Sequence, residues 1–120
     1  MEHFKDYEFA CKCGCGLGLN DIDPFALRML VEARKKAGVP FNINSAIRCK
    51  THNTNVGGGD NSAHLRGHAF DIKIQNSRSA YKVLKALIEV GFNRIGHNPV
   101  KGFFHVDNDP TLPQDVFFKY

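Results

Sequence analysis

Ten consecutive residues, 62–71, carry an unusual density of ionisable side chains for a segment that runs into an apolar stretch. They read S-A-H-L-R-G-H-A-F-D, and Asp71 stands between Phe70 and Ile72. Burying a carboxylate costs considerable free energy unless a hydrogen bond, an opposite charge or a metal ion compensates it. This segment therefore constrains the fold, because the surroundings of Asp71 must compensate its charge.

The length and composition predict a single globular domain over residues 1–120. Hydrophobic residues make up 42% of the chain and charged residues 23%, which is ordinary for a folded domain. Sixteen basic and 12 acidic residues give a net charge of +4, a mild attraction for polyanions such as bacterial cell-wall polymers. The basic residues are scattered rather than clustered with aromatic ones, which argues against a nucleic-acid-binding zinc protein.

The distribution of apolar residues argues against a signal peptide and against a membrane-spanning helix. The first residues, M-E-H-F-K-D-Y-E-F, lack the apolar core of a signal peptide. No apolar run approaches the roughly 18 residues that a membrane-spanning helix requires. We therefore expect a protein without a membrane span, synthesised in the cytoplasm without a signal peptide. We also expect it to be a monomer. If it acts at the cell wall, a phage- or holin-type route has to deliver it.

Four cysteines leave three interpretations open. Cys11, Cys13 and Cys15 form the run C-K-C-G-C, and Cys49 follows much later. Alternating cysteines are closer together than the C-x2-C pairs typical of zinc sites. Without a signal peptide, reduced thiols are the ordinary expectation. Free structural thiols, a second metal clip that includes Cys49, and a disulfide are the alternatives.

Hydrophobic periodicity and turn residues predict the order of the secondary structure. Asp23 and Pro24 begin a helix that ends at Gly38, and Ser77 caps a second helix that ends at Gly91. The face of the second helix comprises Ala80, Val83, Leu84, Leu87 and Ile88. The predicted order begins with a helix over 24–37, a strand over 41–47, a loop over 49–63 and a strand over 69–74. The second helix follows, and then strands over 92–96 and 103–107. We expect the aromatic residues of the remaining tail to dock on the body of the domain. This order predicts an α+β fold in which helices pack on a small, largely antiparallel sheet.

Three side chains that are far apart along the chain form a candidate metal site. His64 precedes a predicted strand, Asp71 lies inside that strand, and His105 lies inside another. The three converge if the two strands are neighbours in one sheet. Two histidines and a carboxylate are a hydrolytic zinc set with a fourth position open for water, whose pKa zinc lowers toward ~7. The spacing alone also fits three structural roles: a loop-capping His64, a backbone-bonded Asp71 and a core His105.

The motifs that contain these residues are more specific than the spacing. The segment 62–71 matches S-x-H-x-x-G-x-A-x-D, F-F-H-V-D follows later, and S-A-I-R-C-K-T-H-N-T-N-V-G-G-G-D-N-S lies upstream. Together they resemble the zinc D-Ala-D-Ala carboxypeptidase family and related peptidoglycan peptidases, which have the Hedgehog/DD-peptidase fold. The resemblance runs over residues 41–107, and Y-E-F-A-C-K-C-G-C is similar to the start of small phage and prophage members.

The resemblance implies a function and a set of site residues. It implies a zinc peptidase acting on peptidoglycan stem peptides, of carboxypeptidase or endopeptidase type, with His64, Asp71 and His105 as zinc ligands. Arg48 would hold a substrate carboxylate or polarise its carbonyl, and a guanidinium suits that role because it stays charged and matches a carboxylate bidentately. The alternative is a catalytically weak or inactive zinc-containing module that binds wall peptides or serves as a phage structural part.

One position departs from the pattern of this family. Many relatives carry an acidic general base three positions before the last zinc ligand, where this chain has Gly102. The nearest carboxylate is Asp107, two residues after His105 and on the same strand face. Asp107 is therefore a catalytic candidate as the general base, although we favour an orienting or structural role for it.

The remaining polar residues of the motifs receive lesser roles. Ser62 and Gly67 are expected to shape the loop, through a hydrogen bond and a tight turn respectively. His68 is left outside the metal site. His52 and His97 are possible proton carriers, for which we favour exposed loop positions.

Overall fold

Five strands form one mixed sheet in the computed structural model, which describes residues 3–120. The strands are β1 (Asn42–Ser45), β2 (Ala69–Lys73), β3 (Arg94–Asn98), β4 (Phe103–Asp107) and β5 (Val116–Lys119). Their order across the sheet is β1-β2-β4-β3-β5. Neighbouring strands are antiparallel except β3 and β5, which run parallel. The predicted α+β fold with a largely antiparallel sheet is confirmed.

Within residues 3–120, the sheet is accompanied by three α-helices: α1 (Pro24–Ala37), α2 (Lys50–Asn55) and α3 (Ser77–Glu89). The carboxylate of Asp23 caps α1 by accepting a hydrogen bond from the Ala26 amide at 2.9 Å, and Gly38 ends the helix in the left-handed conformation. The predicted helix over 24–37 is therefore confirmed. Within residues 3–120, the helices are too short or too polar to cross a membrane.

The hydrophobic core lies between the helices and one face of the sheet. Strand side chains alternate between faces, so Phe70 and Ile72 in β2 point into the core and Asp71 points to the opposite face. Leu30 from α1 and Leu87 from α3 are fully buried in the same cluster. The polar side chains of β2 and β4 consequently gather on the other face of the sheet.

Several local predictions are wrong in detail. The predicted loop over 49–63 contains α2, whose six residues, K-T-H-N-T-N, lack apolar periodicity. The cap of α3 is Asn76 rather than Ser77, because the Asn76 side chain accepts the Ser79 amide hydrogen at 2.9 Å. Ile88 is 58% exposed, so it does not belong to the buried face of α3. The strand predicted over 92–96 begins at Arg94 and continues to Asn98.

Candidate metal centre and active site

His64, Asp71 and His105 lie together on the sheet face opposite the core. Asp71 in β2 is paired directly with His105 in β4, and a short 3₁₀ helix, Ala63–Arg66, places His64 just before β2. Nε2 of His64 and Nδ1 of His105 each lie 3.1 Å from Oδ1 of Asp71. The potential ligand atoms of the three residues lie within 4.8 Å of one another, and all three side chains are buried.

The hydrogen bonds of His64 and His105 determine which ring nitrogen carries a hydrogen and which one has a free lone pair. Nδ1 of His64 lies 2.6 Å from the carbonyl oxygen of Ala46. Since a carbonyl only accepts, this nitrogen carries the hydrogen. Nε2 of His105 likewise lies 2.7 Å from Oδ2 of Asp107. In neutral rings, the two remaining nitrogens and the Asp71 oxygen are then three electron-pair donors within 4.8 Å of one another, and such a set fits a divalent cation.

The pKa values of the two histidines are shifted in opposite directions. Burial lowers the pKa of His64 below its ordinary value, which favours the neutral ring that a metal requires. Burial also acts to lower the pKa of His105, but the carboxylates of Asp107 and Asp71 outweigh it and raise that pKa. The pKa of Asp71 is lowered by the two histidines despite its burial. Asp71 is therefore ionised at neutral pH.

Asp107 is fully engaged by protein donors. Its Oδ2 accepts from His105, and its Oδ1 accepts from Nε of Arg94 at 2.7 Å and from the amide of Asp109 at 3.0 Å. The residue is 0% exposed. The hydrogen bond with His105 lowers the pKa of Asp107 in spite of its burial. This geometry is that of a carboxylate that orients a histidine rather than one that reaches a water molecule.

Arg48 is held rigidly beside the cluster. Its Nη2 donates to Oδ2 of Asp71 at 3.1 Å, its Nε donates to the hydroxyl of Ser45 at 3.0 Å, and its Nη1 donates to Oδ1 of Asn53 at 3.1 Å. Asn53 belongs to α2, so the helix missing from the sequence prediction helps to position this guanidinium. The Arg48 side chain is largely buried, and it forms part of the wall of a cavity.

Two cavities of about 330 and 300 Å³ flank the cluster. Both volumes are within the range of small-ligand sites. The first is lined by Arg48, Val56, Gly57, Gly58, Gly59, Asp71, Asn98, Lys101, Phe103 and Tyr120. The second is lined by Gly59, Asn61, Ser62, Ala63, Arg94, His105, Asp107, Leu112, Phe118 and Tyr120. Tyr120 therefore stands between the two cavities.

Tyr120 is a site residue that the sequence analysis missed. Strand β5 pairs with β3, and the Tyr120 amide then donates to the carbonyl of His97 at 2.9 Å. The Tyr120 ring centroid lies 4.4 Å from that of His105. Burial and the charge of Asp71 raise the pKa of the phenol to about 12, so at neutral pH the hydroxyl is a hydrogen-bond donor. The sequence predicts that the aromatic tail docks on the body of the domain, but it does not specify the pairing of β5 with β3 that places Tyr120 here.

Gly102, at the position where the family resemblance predicted an acidic residue, lies in the turn between β3 and β4. Its φ of +73° is in the left-handed region, which favours glycine over a residue with a side chain. Among the described residues that line the two cavities, the carboxylates are those of Asp71 and Asp107. Both are engaged in the hydrogen bonds given above, so this lining offers no unpaired carboxylate as a general base.

The other histidines of the prediction lie outside the cluster. Nδ1 of His68 is 2.7 Å from Oδ1 of Asn108. His97 lies in β3, half-buried, with its ring centroid 5.1 Å from that of Phe104. His52 lies half-buried in α2. The expectation of exposed loop positions for His52 and His97 is therefore wrong.

Ser62 and Gly67 both shape the segment that carries His64. The hydroxyl of Ser62 accepts the His64 amide hydrogen at 3.2 Å. Gly67 has a φ of +74°, and a Cβ added there would clash with the carbonyl oxygen of Asp21. The turn after His64 consequently requires a residue without a side chain.

A comparison with protein families assigns the chain to a known group. A family model described as Peptidase M15 matches residues 2–107, a range that contains Arg48, His64, Asp71 and His105 and ends before β5. A comparison with curated proteins gives no match. The chain belongs to the Peptidase M15 family, whose members are zinc-dependent metallopeptidases.

Proposed function

We propose that this protein is a zinc-dependent peptidase that hydrolyses peptide bonds in bacterial peptidoglycan stem peptides, as a carboxypeptidase or an endopeptidase. One observation carries the proposal: His64 and His105 each engage one ring nitrogen with a protein acceptor and direct the other to within 3.1 Å of the same Asp71 oxygen. His64, Asp71 and His105 would hold the zinc. Three protein ligands leave one position for water or substrate, as hydrolytic zinc sites require.

The chain's own residues prepare this site for hydrolysis. Zinc, when bound, supplies Lewis acidity, which lowers the pKa of a water molecule toward ~7 and polarises a carbonyl. Asp107 and the Ala46 carbonyl hold the outward N–H groups of the two histidines, so the rings cannot rotate away from the metal position. Arg94 in turn holds Asp107 in place at 2.7 Å.

Arg48 provides the basis for substrate binding. Its three hydrogen bonds fix a permanent positive charge in the wall of the larger cavity, which Lys101 also lines. A fixed guanidinium recognises a carboxylate with charge-assisted hydrogen bonds. We infer that Arg48 binds an anionic group of the stem peptide and thereby places the scissile carbonyl next to the metal position.

Tyr120 provides a hydrogen-bond donor beside the cluster. Its ring rests on that of His105, and its side chain lines both cavities. A neutral phenol in that position donates a hydrogen bond to a carbonyl oxygen as negative charge develops on it. We infer that Tyr120 stabilises this oxygen during hydrolysis.

A second candidate function is supported by the missing carboxylate. Gly102 stands where the acidic residue is expected, and Asp107 is engaged by three donors. The described residues that line the two cavities therefore offer no unpaired carboxylate as a general base. This observation favours a catalytically weak or inactive zinc-containing module that binds wall peptides or belongs to a phage structure. Such a module would retain the metal and the carboxylate-binding Arg48.

Mass spectrometry of digested peptidoglycan separates the two candidates. Zinc-loaded protein is incubated with purified peptidoglycan and with a synthetic stem pentapeptide, and the released fragments identify the bond that is cut. We expect cleavage by the wild-type protein and by the control variant His68→Ala, and none by His64→Ala. Retention of the pentapeptide without any cleavage would instead support the binding module.

A further inference from the structure

A second group of metal-binding side chains lies outside the His64–Asp71–His105 set. The sulfur atoms of Cys11, Cys13, Cys15 and Cys49 all lie within 4.8 Å of one another. The Cys13 sulfur is 3.4 Å from that of Cys11 and 3.5 Å from that of Cys49. None of these four cysteines is in a disulfide, and the distances are far longer than the ~2.05 Å of a sulfur–sulfur bond.

The amino-terminal segment is folded so that three of these sulfurs meet. The amide of Cys11 donates to the carbonyl of Leu17 at 2.9 Å, and the amide of Gly14 donates to the carbonyl of Cys11 at 3.1 Å. Gly14 and Gly16 have positive φ values of 79° and 100°, which allow the tight turns of C-K-C-G-C-G. The close spacing of these cysteines along the sequence argued against a zinc site. The tight turns of this loop nevertheless bring their sulfur atoms together.

Cys49 joins the cluster from the start of α2. Its amide donates to the sulfur of Cys11 at 3.4 Å, and its own sulfur accepts the amide hydrogen of His52 at 3.3 Å. Backbone N–H groups directed at sulfur stabilise thiolates, the form that binds metals. Four thiolates at such short range repel one another unless a cation lies between them.

We propose that Cys11, Cys13, Cys15 and Cys49 bind one zinc ion as a tetrahedral structural site. A four-cysteine set is typical of structural zinc and leaves no position for water. Zn–S bonds of about 2.3 Å place tetrahedral sulfurs about 3.8 Å apart, close to the observed separations of 3.4 and 3.5 Å. Cys13 and Cys15 are exposed and Cys11 is buried, so the ion would lie at the surface of the domain.

This ion would connect the amino-terminal loop to the residues that position Arg48. Cys49 follows Arg48 directly and caps α2, and α2 contains Asn53, whose side chain accepts from the Arg48 guanidinium at 3.1 Å. The four-cysteine site is therefore a positioning element for Arg48. Its four ligands are different residues from those of the three-residue site.

Metal analysis of the full-length chain tests this site. Protein purified with reductant and supplied with zinc is desalted, and zinc per chain is measured by plasma mass spectrometry. We expect two equivalents in the wild type, one in Cys13→Ser/Cys15→Ser, and one in the matched variant His64→Ala/His105→Ala. Cys13 and Cys15 are chosen because they are exposed, so their replacement leaves the core intact.

Cobalt(II) in place of zinc gives a readout independent of activity. Thiolate-to-cobalt charge-transfer absorption should appear in the wild type and the histidine variant and be lost in the cysteine variant. One zinc in the wild type that only the histidine variant loses, iron instead of zinc, or a denatured mass reduced by two hydrogens per disulfide would each overturn the four-cysteine site. None of these results would affect the proposed peptidase site.

Discussion

The Asp107 carboxylate accepts the Nε2 hydrogen of His105 over 2.7 Å, and Nδ1 of the same ring lies 3.1 Å from Asp71. Asp107 thus orients the imidazole of His105, and Asp71 lies beside that imidazole at the proposed metal position. Metal-binding histidines in proteins commonly have such a partner on the second ring nitrogen, which fixes the tautomer and increases the basicity of the ligand. We therefore propose that Asp107 acts through His105 rather than on the substrate.

The replacement Asp107→Asn should weaken zinc binding at the three-residue site. The amide is a poorer acceptor for the His105 N–H, so we expect zinc affinity to fall about 10- to 100-fold, as is usual for such partners. Competition with a chromophoric chelator measures this affinity. The control is Asp109→Asn, a change in the side chain of a buried neighbour whose backbone amide donates to Asp107, and it should leave the affinity unchanged. Equal losses in the two variants would contradict the orienting role.

Arg48→Lys should impair the binding of substrates that carry a free carboxylate. Lysine keeps the charge but loses the fork of donors that contacts Ser45, Asn53 and Asp71. A charge-assisted hydrogen bond contributes about 1.5–3 kcal/mol, so we expect kcat/KM to fall roughly 10- to 100-fold. The measurement compares a peptide acid with its carboxamide. The variant should lose activity mainly on the acid; an equal loss on both peptides would argue against carboxylate binding by Arg48.

Tyr120→Phe should lower kcat without affecting the metal. The phenyl ring keeps the contact with His105, and only the hydroxyl is lost. Removing one donor to a developing oxyanion typically costs 10²- to 10³-fold in kcat, and we expect at least about tenfold here. Zinc content and KM should change little. An unchanged kcat would show that the hydroxyl does not take part in hydrolysis.

Acid should destabilise the fold partly through Asp109. Hydrogen bonds from Thr111 and Arg66 outweigh burial and lower the pKa of this carboxyl. Because the unfolded chain has the higher pKa, near 3.9, the stabilisation is present above that pH and is lost as the pH falls through the folded-state value.

The variant Asp109→Asn tests this pH dependence by urea unfolding. We expect its free energy of unfolding to be lower than that of the wild type by about 1–3 kcal/mol at pH 7. The difference should shrink as the pH approaches 3. A difference that stays constant between these pH values would mean that ionisation of Asp109 does not stabilise the fold.

Local signals explain why some elements were predictable from the sequence. Asp23, Pro24 and Gly38 bound α1, and the sequence contains all three. The alternation of F-F-H-V-D indicates β4 in the same way. By contrast, α2 is six residues long and has no apolar face, and its helical state depends on the Cys49 cap and on the contacts of Asn53.

In the candidate site, too, local motifs indicate some residues, whereas the position of others depends on long-range contacts. His64, Asp71 and His105 were selected by residue type and motif, but the direct pairing of Asp71 with His105 is a long-range register that no local pattern specifies. Tyr120 was missed because its position depends on the parallel pairing of β5 with β3. The meeting of Cys49 with the amino-terminal cysteines likewise depends on tertiary structure.

The most direct test of the central claim is an anomalous difference map recorded at the zinc absorption edge from a crystal of the zinc-loaded protein. The account predicts a peak bonded to Nε2 of His64, Nδ1 of His105 and a carboxylate oxygen of Asp71. A map with no peak among these three side chains, in crystals grown with excess zinc at neutral pH, would contradict it.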